Sequence, residues 1–230
     1  MGITITTGGP TGQTEAVSIS GLVEAISNDI DDTNGEYTNE IVTALNAAVR
    51  YCERNTYYFN EARDVTFTTV AGQEWYDDDD SADITTLIRI QDAYCEQSGA
   101  QRRRLNRATP EEIELLADAG ASTGEPYAFT YFGRRLRLYP IPDSASYTIR
   151  LQVGPYRLNF DATDETSTSA WVTEAYDMIK ARAKYILFKD TLLDPARAAE
   201  ALNDYNDQHR ALKGETALRN GSGKIAATAF

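Results

Sequence analysis

Histidine occurs once in this 230-residue chain, at His209, and cysteine twice, at Cys52 and Cys95. That scarcity bounds the chemistry. A zinc site takes several His and Cys ligands, and nothing here is spaced to supply them. Two thiols far apart in sequence make no disulfide framework, so they read as reduced or buried. Nucleophilic catalysis needs a base beside its serine or cysteine. The single histidine sits in the polar helical stretch NDYNDQHRAL, where it reads as an exposed surface residue. The phosphate-cradling patterns G-x-x-x-x-G-K-[ST] and G-x-G-x-x-G are both missing. No apolar run approaches the roughly 18 residues that span a bilayer. The opening MGITITTGGPTGQTEAVS has neither a basic nor an apolar region, so no secretory signal is expected. Lysine is missing before Lys180; every earlier basic side chain is arginine, whose planar, weakly hydrated fork suits protein contacts.

What is present describes a globular chain. Apolar residues make up 42% and aromatics 10%, enough for a packed core and against disorder. The net charge of −13 is unevenly spread. Residues 1–63 carry three basic and nine acidic groups, residues 64–166 ten and eighteen, and residues 167–230 nine and eight. A body this acidic argues against gripping nucleic acid, which needs clustered positive charge. Four consecutive aspartates, Asp77 to Asp80, offer carboxylates to a hard cation. They lack the spaced ligands of a calcium loop and read as a solvated loop tip. With 35 acidic residues, no carboxylate pair singles itself out for glycoside hydrolysis. The chain therefore reads as non-enzymatic and without a cofactor.

The organisation is legible from its periods. Residues 1–17, rich in Gly and Thr, read as a flexible N-terminal arm. Ser18 or Ser20 caps a first helix to about Asp31, with Leu22, Val23, Ile26 and Ile30 in one stripe. After the Asn34-Gly35 turn, Thr38 is expected to cap a second helix to about Arg54, striped by Ile41, Leu45, Ala48, Val49 and Cys52. From Asp64 the period becomes two, and residues 64–166 read as a β-rich insert. Within it, Thr109, Pro110 and Glu112 form a capping box with proline at the first helical position, marking one short helix that Gly120 ends.

Arg102, Arg103 and Arg104 are the densest basic cluster; in a strand the first and third share a face and the second opposes them. Such arginines serve either as edge charges that resist unwanted pairing or as ion-pair partners for a neighbouring subunit. RRLRLYPIPDSASYTIRLQV reads as a β-hairpin, with Leu136 and Leu138 inward and Arg135 and Arg137 outward. Helical spacing returns after residue 166. Ser or Thr near 167–169 caps a helix bearing Trp171, Val172, Ala175, Tyr176, Ile179, Ala183 and Ile186, running to about Leu193. Asp194-Pro195 opens another, striped by Ala198, Ala201, Leu202, Tyr205 and Leu212. The fold class is α+β. Residues 18–63 and 167–211 are expected to form one helical bundle around a shared core, with residues 212–230 as an extended C-terminal tail.

Three stretches carry a family resemblance: ISGLVEAISNDIDD…NEIVTALNAAVRYCERNTYYF, GRRLRLYPIPDSASYTIRLQV and AWVTEAYDMIKARAKYILFKD. In this order they resemble the head-to-tail adaptor, or head-completion, proteins of tailed bacteriophages, particularly the short-tailed ones. The similarity covers nearly all of the chain beyond residue 17. It implies a structural virion protein made in the bacterial host cytoplasm and located in the neck. Twelve copies would form a ring beneath the portal of the DNA-filled capsid, meet the tail nozzle or tail tube, and help retain the genome. It also implies a C-terminal segment that grasps the portal, here Leu212 to Phe230, with Ile225 and Phe230 as apolar anchors and Lys213, Arg219 and Lys224 as charge partners. Arg102, Arg104, Arg135 and Arg137 become candidates for the subunit or tail interface. An acidic ring would let packaged DNA pass its channel without specific binding. No membrane partner is implied. Two other classes remain open at this point, a peptidoglycan-degrading tail accessory enzyme and a virion decoration or receptor-binding module.

Overall fold

A computed structural model describes residues 18–97, 101–117, 122–164 and 169–221. Helix α1 (Ile19–Asp29) opens at Ser18, whose hydroxyl accepts the Gly21 N–H at 3.0 Å. Helix α2 (Thr38–Cys52) lacks the side-chain cap expected from Thr38. Thr38 lies inside the helix, and the Asp32 carboxylate accepts the N–H groups of Glu36 and Tyr37 at 2.8 and 2.9 Å. Both donors precede the helix, so Asp32 orders the turn that leads into α2 and no side chain caps the helix itself.

The described residues then build two four-stranded sheets. The first runs in the order β1 (Ala62–Thr68), β8 (Tyr147–Val153), β3 (Ile90–Gln97), β4 (Arg103–Arg104) and is antiparallel throughout. The second runs β2 (Trp75–Tyr76), β7 (Arg135–Tyr139), β6 (Ala128–Phe132), β5 (Asn106–Arg107), with β5 and β6 parallel. One apolar cluster joins their inner faces: Phe67, Ala93, Cys95, Ile149, Leu151 and Val153 from the first, and Tyr76, Phe129, Leu136 and Leu138 from the second. Each such aliphatic or aromatic side chain contributes about 1.5–3 kcal/mol when fully buried. The Phe67 and Tyr76 rings meet across the gap with centroids 5.0 Å apart.

This topology corrects the expected hairpin. β7 and β8 are consecutive in sequence yet belong to opposite sheets. Pro140 and Pro142 between them offer no N–H to a ladder, and Gly72 donates to the Pro142 carbonyl at 2.8 Å, tying the corner to the β1–β2 loop. The true hairpin partner of β7 is β6, joined by Gly133 and Arg134 at φ of 58° and 62°. Two successive positive φ values match the right-handed strand twist of a tight two-residue turn. Helix α3 (Pro110–Ala117) carries the expected capping box: Thr109 N–H to Glu112 Oε2 at 2.7 Å, and Glu112 N–H to Thr109 Oγ1 at 3.2 Å.

Helix α4 (Ala170–Ile186) starts at Ser169, whose hydroxyl accepts from Trp171 N–H. It gives way to a wider helical turn, Leu187–Thr191, short of the expected Leu193. Asp194 then caps α5 (Pro195–Arg219) by accepting the Ala196 and Arg197 N–H groups, both at 3.0 Å. The helix continues seven residues past Leu212, so Lys213 and Arg219 lie on α5 and not on an extended tail. A second apolar cluster draws Ile19, Leu22 and Ile26 from α1, Ile41, Leu45 and Val49 from α2, Trp171, Val172 and Ile179 from α4, and Tyr205 and Leu212 from α5.

Candidate functional site

The segment after α2, read in sequence as an aromatic exit, becomes the seam between helices and sheets. Tyr57 is fully buried, with its ring edge-on to Trp171 at 5.9 Å and its hydroxyl 2.7 Å from His209 Nδ1. His209 is therefore half-buried and hydrogen-bonded, which corrects its reading as an exposed surface residue. Burial, and then the Lys213 charge, hold its pKa below the usual histidine value. The imidazole thus stays neutral and is employed in packing. Thr216 accepts the Tyr58 N–H at 3.1 Å, and Lys213 donates to the Thr56 carbonyl at 3.0 Å while lying 5.3 Å from the Tyr57 ring centre. Arg219 stacks on Tyr58 at 3.7 Å, whose hydroxyl donates to Glu174 at 2.5 Å. Arg63 of β1 donates to Asn220 at 3.2 Å. The C-terminal half of α5 is thereby pinned to the entry of the sheet region.

The candidate arginines separate into two groups. On the outer face of the first sheet, Arg102 and Arg150 both reach Glu96 Oε1 at 2.7 Å, and Arg104 Nε donates to Asp92 at 2.9 Å. Arg103 faces Glu125 at 3.4 Å. The Arg150 hydrogen bond outweighs desolvation and holds the Glu96 carboxyl below its usual pKa. The side chains of Arg102 and Arg104 remain 52% and 69% exposed and keep donors for a further partner. Arg135 pairs with Asp77 at 2.9 Å and also keeps an exposed flank. Asp80, in the same loop, accepts from Gln73 at 2.8 Å and from the Asp77 N–H at 3.1 Å.

Arg137 corrects the expected alternation. Its side chain is buried, bonded to Glu74 and to Glu114 of α3, and stacked 5.2 Å from the Trp75 ring centre. The outer face of β7 is covered by α3 and by Glu74 and Trp75, so a strand position that points away from the sheet core is still interior. Leu136 and Leu138 are fully buried on the other face, as expected. Lys224, Ile225 and Phe230 lie outside the described residues.

Sequence reasoning missed Arg182. Its guanidinium lies 3.8 Å from the Tyr51 ring centre, 4.8 Å from that of Tyr185 and 5.3 Å from that of Tyr205. Little in the sequence sets it apart: Arg182 stands between Lys180 and Lys184, and its tyrosines come from three different helices, Tyr51 from α2, Tyr185 from α4 and Tyr205 from α5. Burial pushes the Cys52 thiol up to about 12 and the Cys95 thiol up to about 11, so neither is a reactive thiolate at neutral pH. Among the described residues, no cluster of three or more His, Cys, Asp or Glu is placed to hold a metal ion, and no helix is long and apolar enough to cross a membrane.

The chemistry on these surfaces is that of ion pairing, stacking and apolar contact, the means of protein assembly. No curated protein sequence matches the chain. A family model described as SU10 adaptor protein matches residues 17–226 and so takes in every helix and strand described above. The chain belongs to the SU10 adaptor protein family, a family of phage adaptors, which supports a structural role in the virion neck.

Proposed function

We propose that this chain is the ring-forming subunit of a head-to-tail adaptor, twelve copies of which sit beneath the portal, join the DNA-filled capsid to the tail nozzle or tail tube, and help retain the genome. The observation that carries this reading is the family match across residues 17–226. The architecture supports it in detail. In this reading residues 18–63 and 167–211 form one helical bundle, residues 64–166 a β-rich insert and residues 1–17 an N-terminal arm; the apolar cluster drawn from α1, α2, α4 and α5, and the separate one between the two sheets, support the first two. Because α5 runs to Arg219, the portal-grasping tail shortens to the residues beyond it. Lys224, Ile225 and Phe230 are its contact residues, with exposed Arg219 at its root. Lys213, engaged with Thr56 and Tyr57, anchors the helix that presents the tail.

Arg102, Arg104 and Arg135 face a neighbouring subunit or the tail, while Arg137 acts inside the chain as a clamp between α3 and β7. With −13 charges per copy, the ring repels duplex phosphates and lets DNA pass. Immobilised portal rings test the proposal: the full chain is retained, and a chain ending at Asn220 is not. Equal retention of both would remove the tail from the portal contact, and retention of neither would refute the adaptor reading.

A further inference from the structure

The reversal between α4 and α5 departs from regular geometry in three ways at one place. Leu187–Thr191 forms a wide helical turn, a feature that frequently marks functional sites. Leu193 follows at φ of 53°, in the left-handed region that leucine rarely adopts, and its side chain is 76% exposed. Beside it, Tyr185, Lys189, Pro195, Ala199 and Leu202 line an apolar cleft of about 400 Å³. The turn does not itself require a leucine. Asp194 N–H bonds the Phe188 carbonyl at 2.8 Å and Leu192 N–H the Leu187 carbonyl at 2.9 Å, so glycine at 193 would satisfy the same backbone with less strain. A large apolar side chain held out to solvent in an unfavourable conformation needs a reason outside the chain.

The far end of α5 presents the complement. Leu218 is 77% exposed, and Glu215, one turn earlier on the same helical face, is paired with the exposed Arg219 at 2.5 Å. Lys189, at the rim of the cleft, is 57% exposed, pairs with Asp190 at 3.4 Å and lies 5.9 Å from the Tyr185 ring centre. An apolar knob beside one exposed acid–base pair, Glu215 and Arg219, therefore stands at one end of α5, and an apolar cleft beside another, Lys189 and Asp190, at the other, so the two pairs can exchange partners across a contact. The helix is unbroken over 25 residues, which sets the two ends about 37 Å apart. One chain cannot bring its own Leu218 to its own cleft.

We propose that the α4–α5 cleft of one copy receives the C-terminal end of α5 from a second copy, with Leu218 inserted beside Leu193 and Glu215 set against Lys189. Knob and cleft are different surfaces, so each copy gives one and receives one. Contacts of this head-to-tail kind propagate, closing into a ring where the rotation between copies allows it. The inference rests on the ring reading for its biological setting and gives that ring a named contact.

Cysteine pairing tests it, because Cys52 and Cys95 are both buried and do not compete. Full-length Leu193→Cys and Leu218→Cys chains, distinguishable by tag, are oxidised separately and then mixed. The expected result is a disulfide dimer of one chain of each kind in the mixture, with none in either alone. A second pair reports without cross-linking: Ala199→Trp fills the cleft and Leu218→Asp disables the knob. Each alone stays monomeric, and mixed they give a one-to-one dimer that grows no further, because only one good knob and one good cleft remain. Links within a single-variant sample, or no link in the mixture, would overturn the proposal. Failure here while the wild-type chain still forms rings on the portal refutes this contact and leaves the ring reading standing. Heterodimers without rings would do the reverse.

Discussion

The two larger apolar clusters among the described residues solve the same problem with different materials. The sheet core is conventional: Phe129, Leu136, Leu138, Ile149, Leu151 and Val153 fill the space between two sheets, and the arginine–carboxylate pairs keep to the outer faces. The helical core carries polar groups through its interior. Tyr57 bonds His209 and Met178, Arg182 lies among three tyrosine rings, and the buried Trp171 Nε1 has no hydrogen-bond partner. Buried polar groups hold directions that apolar packing leaves loose. The helical core is thus fixed partly by polar contacts such as Tyr57–His209, and the proposed portal contact and the α4–α5 contact project from it.

Breaking each core from its centre gives the largest expected effects. Trp171→Ala removes the ring that meets Tyr57 and Phe59 and is expected to cost about 3–5 kcal/mol in urea unfolding. Trp171→Phe should cost much less, because it deletes an N–H that has no partner. A ranking in which both substitutions cost the same would show that the indole N–H is satisfied in solution.

Next comes a contrast inside the sheet region. Arg137→Ala strands the part-buried Glu74 carboxylate, releases the exposed Glu114 to solvent and opens the clamp on α3, at an expected cost of about 2 kcal/mol that salt changes little. Arg135→Ala, two residues away on an exposed pair, should cost under about 1 kcal/mol and less at high salt. Similar values for both would mean that Arg137 is solvated.

Smaller effects belong to the caps. Thr109→Ala and Asp194→Ala each remove a side-chain acceptor from a helix start and should cost about 1 kcal/mol. The Asp194 loss should register in the helical core and the Thr109 loss in the sheet region, as separable shifts in hydrogen exchange.

Acid sharpens the comparison further. His209 has a folded pKa held below its ordinary 6.5, so the unfolded chain binds its proton first. Stability from this group is complete above about pH 6.5 and is lost as pH falls from there through the folded pKa. Replacing His209 with Gln should flatten the melting-temperature profile in that window. Glu96 adds a separate loss at lower pH, since its carboxyl is held below 4.5 by Arg150 and must be protonated before the benefit disappears. At Asp29, burial works against the carboxylate, but Lys184 and Lys180 outweigh it and lower the pKa in the same direction. A profile unchanged by His209→Gln would mean that the imidazole is solvated and free to charge.

How much of this was legible follows from what each element depends on. Helices depend on near neighbours, so Ser18, the Thr109–Glu112 box and Asp194-Pro195 marked their starts within a residue. Thr38 misled because the helix takes it in as its first residue, and its hydroxyl donates back to the Gly35 carbonyl at 3.1 Å. Sheet partners depend on distant chain. β2, β4 and β5 have two residues each, too few for any period, and the assignment of β7 and β8 to opposite sheets follows from what Pro140 and Pro142 prevent. Arg137 was misread for a related reason: alternation gives the face of a strand but not what covers that face. The His209 contact spans 152 positions to Tyr57 and leaves no local trace.

The central claim is that this chain closes into a ring on a portal, and native mass measurement of the full chain with the portal protein of the same phage tests it most directly. The account predicts a single assembly carrying about a dozen copies of this chain per portal ring, consistent with closed cyclic symmetry. A portal that keeps its own mass beside a free 25.5 kDa chain would contradict it.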